Sequence, residues 1–391
     1  MRLAIALALA VSACGPSERG FQADFVEAEP GSPIPGLGDA EAARFAVGQA
    51  LFNRPFTPEE GLGPLFNQAQ CSSCHDLPSS GGHGAEPVTK ASHFTEATGC
   101  DILEAEGGDL FQQIVTPAAR EAGLNPESVP TSASAVTLVV PPALYGLGLV
   151  ERVPMEDLLG AADPEDANRD GISGRTGVGP EGLPGRFGFK AQHSSLAGFV
   201  EGAVRMEMGL TTPMHPEEER PGGHPLPPGL DPAADPEVDG AFLASLTDYV
   251  LFLAPPTRRP VPPEERAAVR EGERTFEALG CTSCHTPVLT TGPSESPALD
   301  RKAFRVYSDL LLHDLGPDLA DICAPGATPS EWRTARLVGL GLRSEFMHNG
   351  RAQRLDDAIR LHGGEGSSAR DAYAALSDGE RQDLLRFLQT L

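Results

Sequence analysis

Apolar side chains mark out three helices along this chain. From Asp39, a good N-cap, Phe45, Gly48 and Phe52 recur near helical spacing and predict the first helix. The runs FLASLTDYVLFL (242–253) and ERQDLLRFLQTL (380–391) predict two further apolar helices. Short Gly-rich apolar turns stand at 143–151 (ALYGLGLVE) and 336–344 (RLVGLGLRS). Between the halves, APPTRRPVPPEE (254–265) holds five prolines, which forbid a continuous helix and predict an extended linker. Residues 15–38 are rich in Pro and Gly with few apolar anchors, and 212–238 is a Pro-, Glu- and Asp-rich surface loop.

The order of these elements repeats. Each half carries a Phe five residues before a Cys, Phe66 before Cys71 and Phe276 before Cys281. Each then has the Gly-rich turn and ends in an apolar helix, so duplication accounts for the pattern better than chance. A long insertion, roughly 152–240, interrupts the first half. The predicted organisation is 1–13 signal peptide, 14–38 tether, 39–253 N-terminal domain, 254–265 linker and 266–391 C-terminal domain.

The N-terminus changes the picture of where the chain works. Arg2 followed by the apolar run Leu3 to Val11 is too short to span a bilayer and reads as an export signal. VSAC resembles the lipobox of bacterial lipoproteins, with cleavage before Cys14 and a lipid on its thiol. Gly15 then carries no inner-membrane retention signal, so the expectation is a periplasmic protein anchored to the outer membrane. The 391 residues suffice for two cores, and 44 Gly with 37 Pro imply long irregular connections. A formal charge of −25 excludes nucleic acid as a partner. It suits a basic electron donor, such as a small cytochrome or other small redox protein, or simply keeps an exported protein soluble.

The candidate chemistry lies in CSSCH (71–75) and CTSCH (281–285). Cys-x-x-Cys alone fits zinc, a redox dithiol or covalent haem. The His that follows selects haem, because two thioethers to the porphyrin place the next imidazole beneath the iron. Two spare thiols, Cys100 and Cys323, either pair or sit apart as small buried hydrophobes. In DPEDANRDGISGR, Asp166, Asn168 and Asp170 precede Gly171 at the spacing of a calcium loop. Its twelfth position is Gly177, so calcium would need Glu181, carbonyls or water; the other reading is an Asx-rich turn.

The stretches GRFGFKAQ (185–192), EMGLT (207–211), YSDLLLHDLGPDLAD (307–321), EWRTARLVGLG (331–341) and MHNGRAQRLDDAIRLHGGEG (347–366) carry a resemblance. With both haem motifs, the chain resembles the bacterial di-haem c-type oxidoreductases labelled thiol oxidoreductases, relatives of di-haem cytochrome c peroxidases and of MauG. The resemblance implies a mainly α fold of two cytochrome-c-like domains, each around one covalent haem, with long irregular loops. One haem would react with hydrogen peroxide and the other would relay electrons. Cys71 and Cys74 would hold the first haem with His75 proximal, and Cys281 and Cys284 the second with His285 proximal. LDDAIRLH places His362 where the peroxidases have the relay haem's sixth ligand, with Met347 as runner-up; His313 and His348 are expected to pack or hydrogen-bond. Glu207, before Met208, is the expected proton-transfer residue, with Glu151 second. Phe187 or Phe189 stands where relatives have Trp, while Trp332 lies elsewhere. His83 resembles a displaceable distal ligand of the first haem, with His93 a weaker candidate. The spare cysteines are not in a Cys-x-x-Cys arrangement, so nothing in the residues supports thiol chemistry.

Overall fold

The computed structural model describes residues 25–391; the expected export signal and the acylated Cys14 lie outside the described residues. Among those described, no helix is long and apolar enough to cross a membrane.

Each half is built on one helix pair. Helix Asp39–Phe52 packs along helix Gly240–Phe252, and helix Arg266–Ala278 along helix Asp378–Leu388. Both crossings are close because a glycine sits at each. A Cβ on Gly48 would stand 2.1 Å from the Ser245 carbonyl oxygen, and one on Gly272 would stand 2.0 Å from that of Asp383. Around the glycines the buried residues match, Phe45, Gly48 and Phe52 against Val269, Gly272 and Phe276. The last helix begins at a capping box, in which Ser377 Oγ accepts from the Glu380 N–H and the Ser377 N–H donates to the Glu380 carboxylate.

This geometry corrects the phase of the repeat. The ring of Phe52 lies 6.3 Å from that of His75, and Phe276 lies 6.3 Å from His285. Phe52, not Phe66, is therefore the counterpart of Phe276. Phe66 falls instead in the short strand Leu65–Phe66. The Gly-rich turns match as well. Gly146 and Gly339 both adopt positive φ, and Gly148 and Gly341 lie against the Leu251 and Gln389 carbonyls of the two closing helices.

The fold is mixed and loop-rich, which corrects the expectation of a mainly α protein: ten α-helices stand beside twelve short strands among the described residues. The principal sheet has Val88–Thr95 at its centre, paired antiparallel with Gly99–Asp101, Leu110–Phe111 and Ala135–Val139. Along Ala135–Val139 the side chains of Thr137 and Val139 point inward while Val136 and Leu138 face out, the two-residue period of a strand. Cys100 in this sheet forms a disulfide with Cys323, with Cα atoms 5.8 Å apart.

The halves share one core. Phe45, Phe52, Leu149, Val204 and Tyr249 pack in the same cluster as Leu299, Phe304 and Val306. The segment expected as a tether is packed from residue 25 onward. Val26 and Ile34 are buried, the Val26 N–H donates to Ala303 at 3.3 Å, and Glu27 pairs with Arg305 at 3.0 Å. Two apolar residues suffice because the backbone between them finds partners, including the Ile34 N–H on the Phe252 carbonyl. The start of the linker is buried too, through Pro256, before the chain emerges in extended form. The insertion also ties the halves together. Arg175 makes a two-pronged contact with the Glu331 carboxylate, and Lys190 Nζ donates to the carbonyls of Thr328, Pro329 and Glu331.

Candidate functional site

The first Cys-x-x-Cys-His run forms a one-turn helix, Cys71–Ser73, that places both thiols and His75 on the wall of a cavity of about 1090 Å³. Neither thiol is in a disulfide. Burial pushes both up to about 12, with the Glu207 carboxyl adding to the effect. His75 Nδ1 donates to the Gly82 carbonyl at 3.1 Å. A carbonyl can only accept, so Nδ1 carries the proton and Nε2 keeps its lone pair for a metal. Burial lowers the His75 pKa to about 4 and keeps the ring neutral.

The second run repeats this arrangement in helix Cys281–Ser283. His285 Nδ1 donates to the Tyr307 carbonyl at 2.9 Å, and burial again lowers its pKa to about 4. His362 follows helix Leu355–Arg360 and donates from Nδ1 to the Ala358 carbonyl at 2.9 Å. The His285 and His362 ring centroids are 6.5 Å apart. Metal–imidazole bonds of about 2.0–2.1 Å, with roughly 1 Å more from nitrogen to ring centre, put two imidazoles on opposite sides of one metal about 6 Å apart. The pair is spaced to share an ion. Met347, the alternative, packs against the Phe346, Ala352 and Ala358 cluster.

Glu207 ends helix Leu196–Met208, which starts at the Ser195 cap and stops at Gly209 in the left-handed conformation. Its side chain lines the first cavity, and Asn67 Nδ2 donates to its Oε2 at 2.9 Å. Burial raises its pKa, outweighing the Asn67 hydrogen bond. Glu151 is placed differently: its carboxylate accepts the Leu196 N–H at the start of the same helix, and it is not on the cavity wall.

Among the histidines, His83 is also off that wall. It pairs in backbone with Leu77, beneath the loop that holds His75, and its charged surroundings are Arg343, Asp76 and Glu345. His93 Nδ1 donates to the Ser132 carbonyl. His313 is held between the Asp309 and Glu365 carboxylates at 2.8 and 2.7 Å; burial opposes its charge, but these hydrogen bonds raise its pKa to about 12. His348 stacks on Trp332 with centroids 3.8 Å apart and pairs with Asp321. Phe189 meets the edge of His348 at 6.4 Å, so Trp332 and Phe189, one of the two Phe near the expected Trp position, belong to one aromatic cluster. Phe187 stacks on Phe199 at 6.0 Å in the cavity wall.

The carboxylates of the expected calcium loop serve their own backbone. Asp166 accepts the Gly171 N–H, and Asp170 accepts that of Ile172 and the Asn168 amide. This is the Asx-turn alternative. The Glu181 side chain lies outside the described residues.

Sequence reasoning missed part of the cavity wall. Lys90 and Asp109 form an ion pair at 2.8 Å there, beside His193. Arg333 and Arg336 reach in from the other half of the chain; both are half-buried, and among the described residues neither has a carboxylate partner. Burial lowers their pKa values to about 10 and about 9, so both remain charged.

A family described as "Di-haem oxidoreductase, putative peroxidase" matches residues 136–391, about two-thirds of the chain. The chain belongs to this family. The match contains the second Cys-x-x-Cys-His run and begins after the first. No curated protein matches the chain. Among solved structures it is similar to hydrazine synthase of Kuenenia stuttgartiensis, at 15% identity over 100% of both chains with a TM-score of 0.42. It is also similar to a MauG-like protein associated with microbial copper homeostasis, at 15% identity over 94% of this chain and 93% of that one, TM-score 0.40. A variant of the diheme peroxidase BthA from Burkholderia thailandensis matches at 16% identity over 94% and 89%, TM-score 0.39. Scores this low carry none of the argument that follows.

A di-haem oxidoreductase needs two haem sites, and the residues fit the group. Each half offers two unbridged thiols and a neutral imidazole with a free Nε2. The largely apolar first cavity suits a porphyrin, and the half-buried guanidiniums of Arg333 and Arg336, which have no carboxylate partner among the described residues, suit its carboxylates.

Proposed function

We propose that this di-haem oxidoreductase is an exported, lipid-anchored peroxidase of the c-type, acting on hydrogen peroxide or using it to oxidise a partner. The observation that carries the reading is the asymmetry of the halves. His285 has a second imidazole at ligand spacing, whereas His75 faces a cavity lined by the Glu207 carboxyl, whose pKa burial raises. A relay haem wants two strong axial ligands, and a reactive one wants a free face beside a proton-transfer group.

In this reading Cys71 and Cys74 bind one haem covalently and Cys281 and Cys284 the other, with His75 and His285 as proximal ligands. His362 supplies the sixth ligand of the second. The haems supply the redox chemistry. Around them, the Gly82 and Tyr307 carbonyls fix the imidazole tautomers, Arg333 and Arg336 balance anionic charge, and Glu207 is the proton-transfer group. The lipid on Cys14 and the periplasmic face of the outer membrane rest on the export signal and lipobox. The −25 charge favours a basic electron-donor protein. Calcium in the Asp166 loop would have to displace the hydrogen bonds that now close that turn.

Intact mass and electron spin resonance of the ferric holoprotein test this together. Two covalent haems, one high-spin and one low-spin, support it. Two low-spin haems inert to peroxide would make the protein an electron-transfer cytochrome instead.

A further inference from the structure

His193 has been given no part so far, yet it lines the same cavity as His75 and Glu207. It follows the turn that begins at Phe187, and its backbone is fixed there. The His193 N–H donates to Phe187, and its carbonyl accepts from the N–H groups of Arg186 and Phe187 at 2.9 and 3.0 Å. Its ring packs against Phe199, centroids 5.3 Å apart, and lies over Gly202, where a Cβ would come 3.7 Å from Cε1. It thus rests on the helix that ends in Glu207. Of the three histidines on the cavity wall, His75 donates to a carbonyl and His215 is bound to Glu201. Neither ring nitrogen of His193 has a hydrogen-bond partner among the described residues. A histidine kept only for packing would usually have its ring nitrogens satisfied.

We infer that His193 is a second catalytic residue of this cavity, the base that takes the first proton from hydrogen peroxide while Glu207 supplies the acid. The inference rests on the reading of the first haem as the peroxide-reactive one. The two groups divide the work by protonation state. Burial, with the Lys90 charge adding, keeps the imidazole neutral, while the facing carboxylates of Asp109 and Glu201 pull the other way. Burial also raises the Glu207 pKa, which favours its acid form. One O–H bond of the peroxide breaks and its proton goes to the imidazole, leaving a hydroperoxide anion. When the O–O bond breaks, the departing hydroxide takes the Glu207 proton and leaves as water. The remaining oxygen, reduced by the two electrons the haem pair would supply, takes the imidazolium proton and one from solvent and leaves as the second water, and solvent reprotonates Glu207. In its acid form Glu207 cannot accept the first proton, and the unpartnered imidazole of His193 on the same cavity wall is the group that can.

Cyanide binding to the ferric holoprotein isolates the first of these steps without turnover, because hydrogen cyanide must lose its proton to bind. His193→Gln and His193→Leu should each slow cyanide binding at neutral pH by about 10²-fold, with the resting optical and spin-resonance spectra of wild type retained. Retention of those spectra shows that both variants fold and hold haem. Wild-type rates in both variants would overturn the assignment. So would a change from low-spin to high-spin on substitution, which would make His193 an iron ligand. A wild-type protein that binds no cyanide at all would bring down the open first haem itself, and this inference with it.

Discussion

The imidazoles of His285 and His362 face one another with centroids 6.5 Å apart, and each is tied through Nδ1 to a main-chain carbonyl. In the proposed reading these two rings hold one iron between them, and the carbonyl bonds fix both in the tautomer that leaves Nε2 unprotonated.

His362→Gly should therefore convert one low-spin haem to high-spin, visible in the ferric spin-resonance spectrum, and raise its potential. A neutral imidazole favours ferric iron over a weaker ligand such as water. Added imidazole should restore the low-spin signal. A variant with an unchanged spectrum would shift the sixth position to Met347.

The two helix crossings give a test of the duplicated scaffold. Gly48→Ala and Gly272→Ala each drive a methyl group into a backbone carbonyl of the partner helix, so each should cost about 1–3 kcal/mol in denaturant unfolding. Gly160→Ala, in helix Met155–Ala161 with open space around it, should be neutral or stabilise by about 0.4–1 kcal/mol. Equal effects at all three positions would refute the close-packing account.

Much of this was legible along the chain because the chemistry is local. A Cys-x-x-Cys-His run needs only five adjacent residues, and His362 stands out by its place after LDDAIR. The repeat was legible in order but not in phase. Counting back from each Cys selects Phe66, because sequence spacing cannot see that residues 53–70 loop out between Phe52 and Cys71. The sheet was hidden for another reason: VTKASHFT mixes polar and apolar residues, and its partners stand 4 to 51 residues away. His193 has no spacing signature at all. Only the folded cavity shows that it shares a wall with Glu207.

The Cys100–Cys323 bond joins the sheet to a loop 223 residues further on. Closing so long a loop restricts the unfolded chain strongly, so the Cys100→Ser, Cys323→Ser double variant should lose about 2–5 kcal/mol. Its haem spectra should match wild type, since neither cysteine lines the cavity. Wild-type protein in reductant should unfold at the variant's denaturant midpoint. A midpoint unmoved by either treatment would mean that the bond contributes nothing to stability.

Glu207 offers the sharpest test of the chemistry, through pH. Asn67 donates to Oε2, so the carboxyl proton belongs on Oε1, and burial raises the pKa above the usual carboxylate value. The acid form therefore persists past the pH at which an exposed Glu ionises, and it is lost as pH rises through the raised value. The peroxide rate should fall along the same limb. Folding stability follows the same sign: a raised folded pKa contributes stability that is full below the unfolded pKa and is lost as pH rises through the folded one. Glu207→Gln has no ionisable group, so both effects should disappear. The variant should keep both resting spectra, react with peroxide about 10²–10⁴-fold more slowly, and lose the alkaline limb. It should also become more stable relative to wild type at alkaline pH. A slower variant that kept the limb would assign the titration to another group. Wild-type speed with the limb intact would remove Glu207 from the reaction and pass its role to Glu151, despite that residue's place at the helix start.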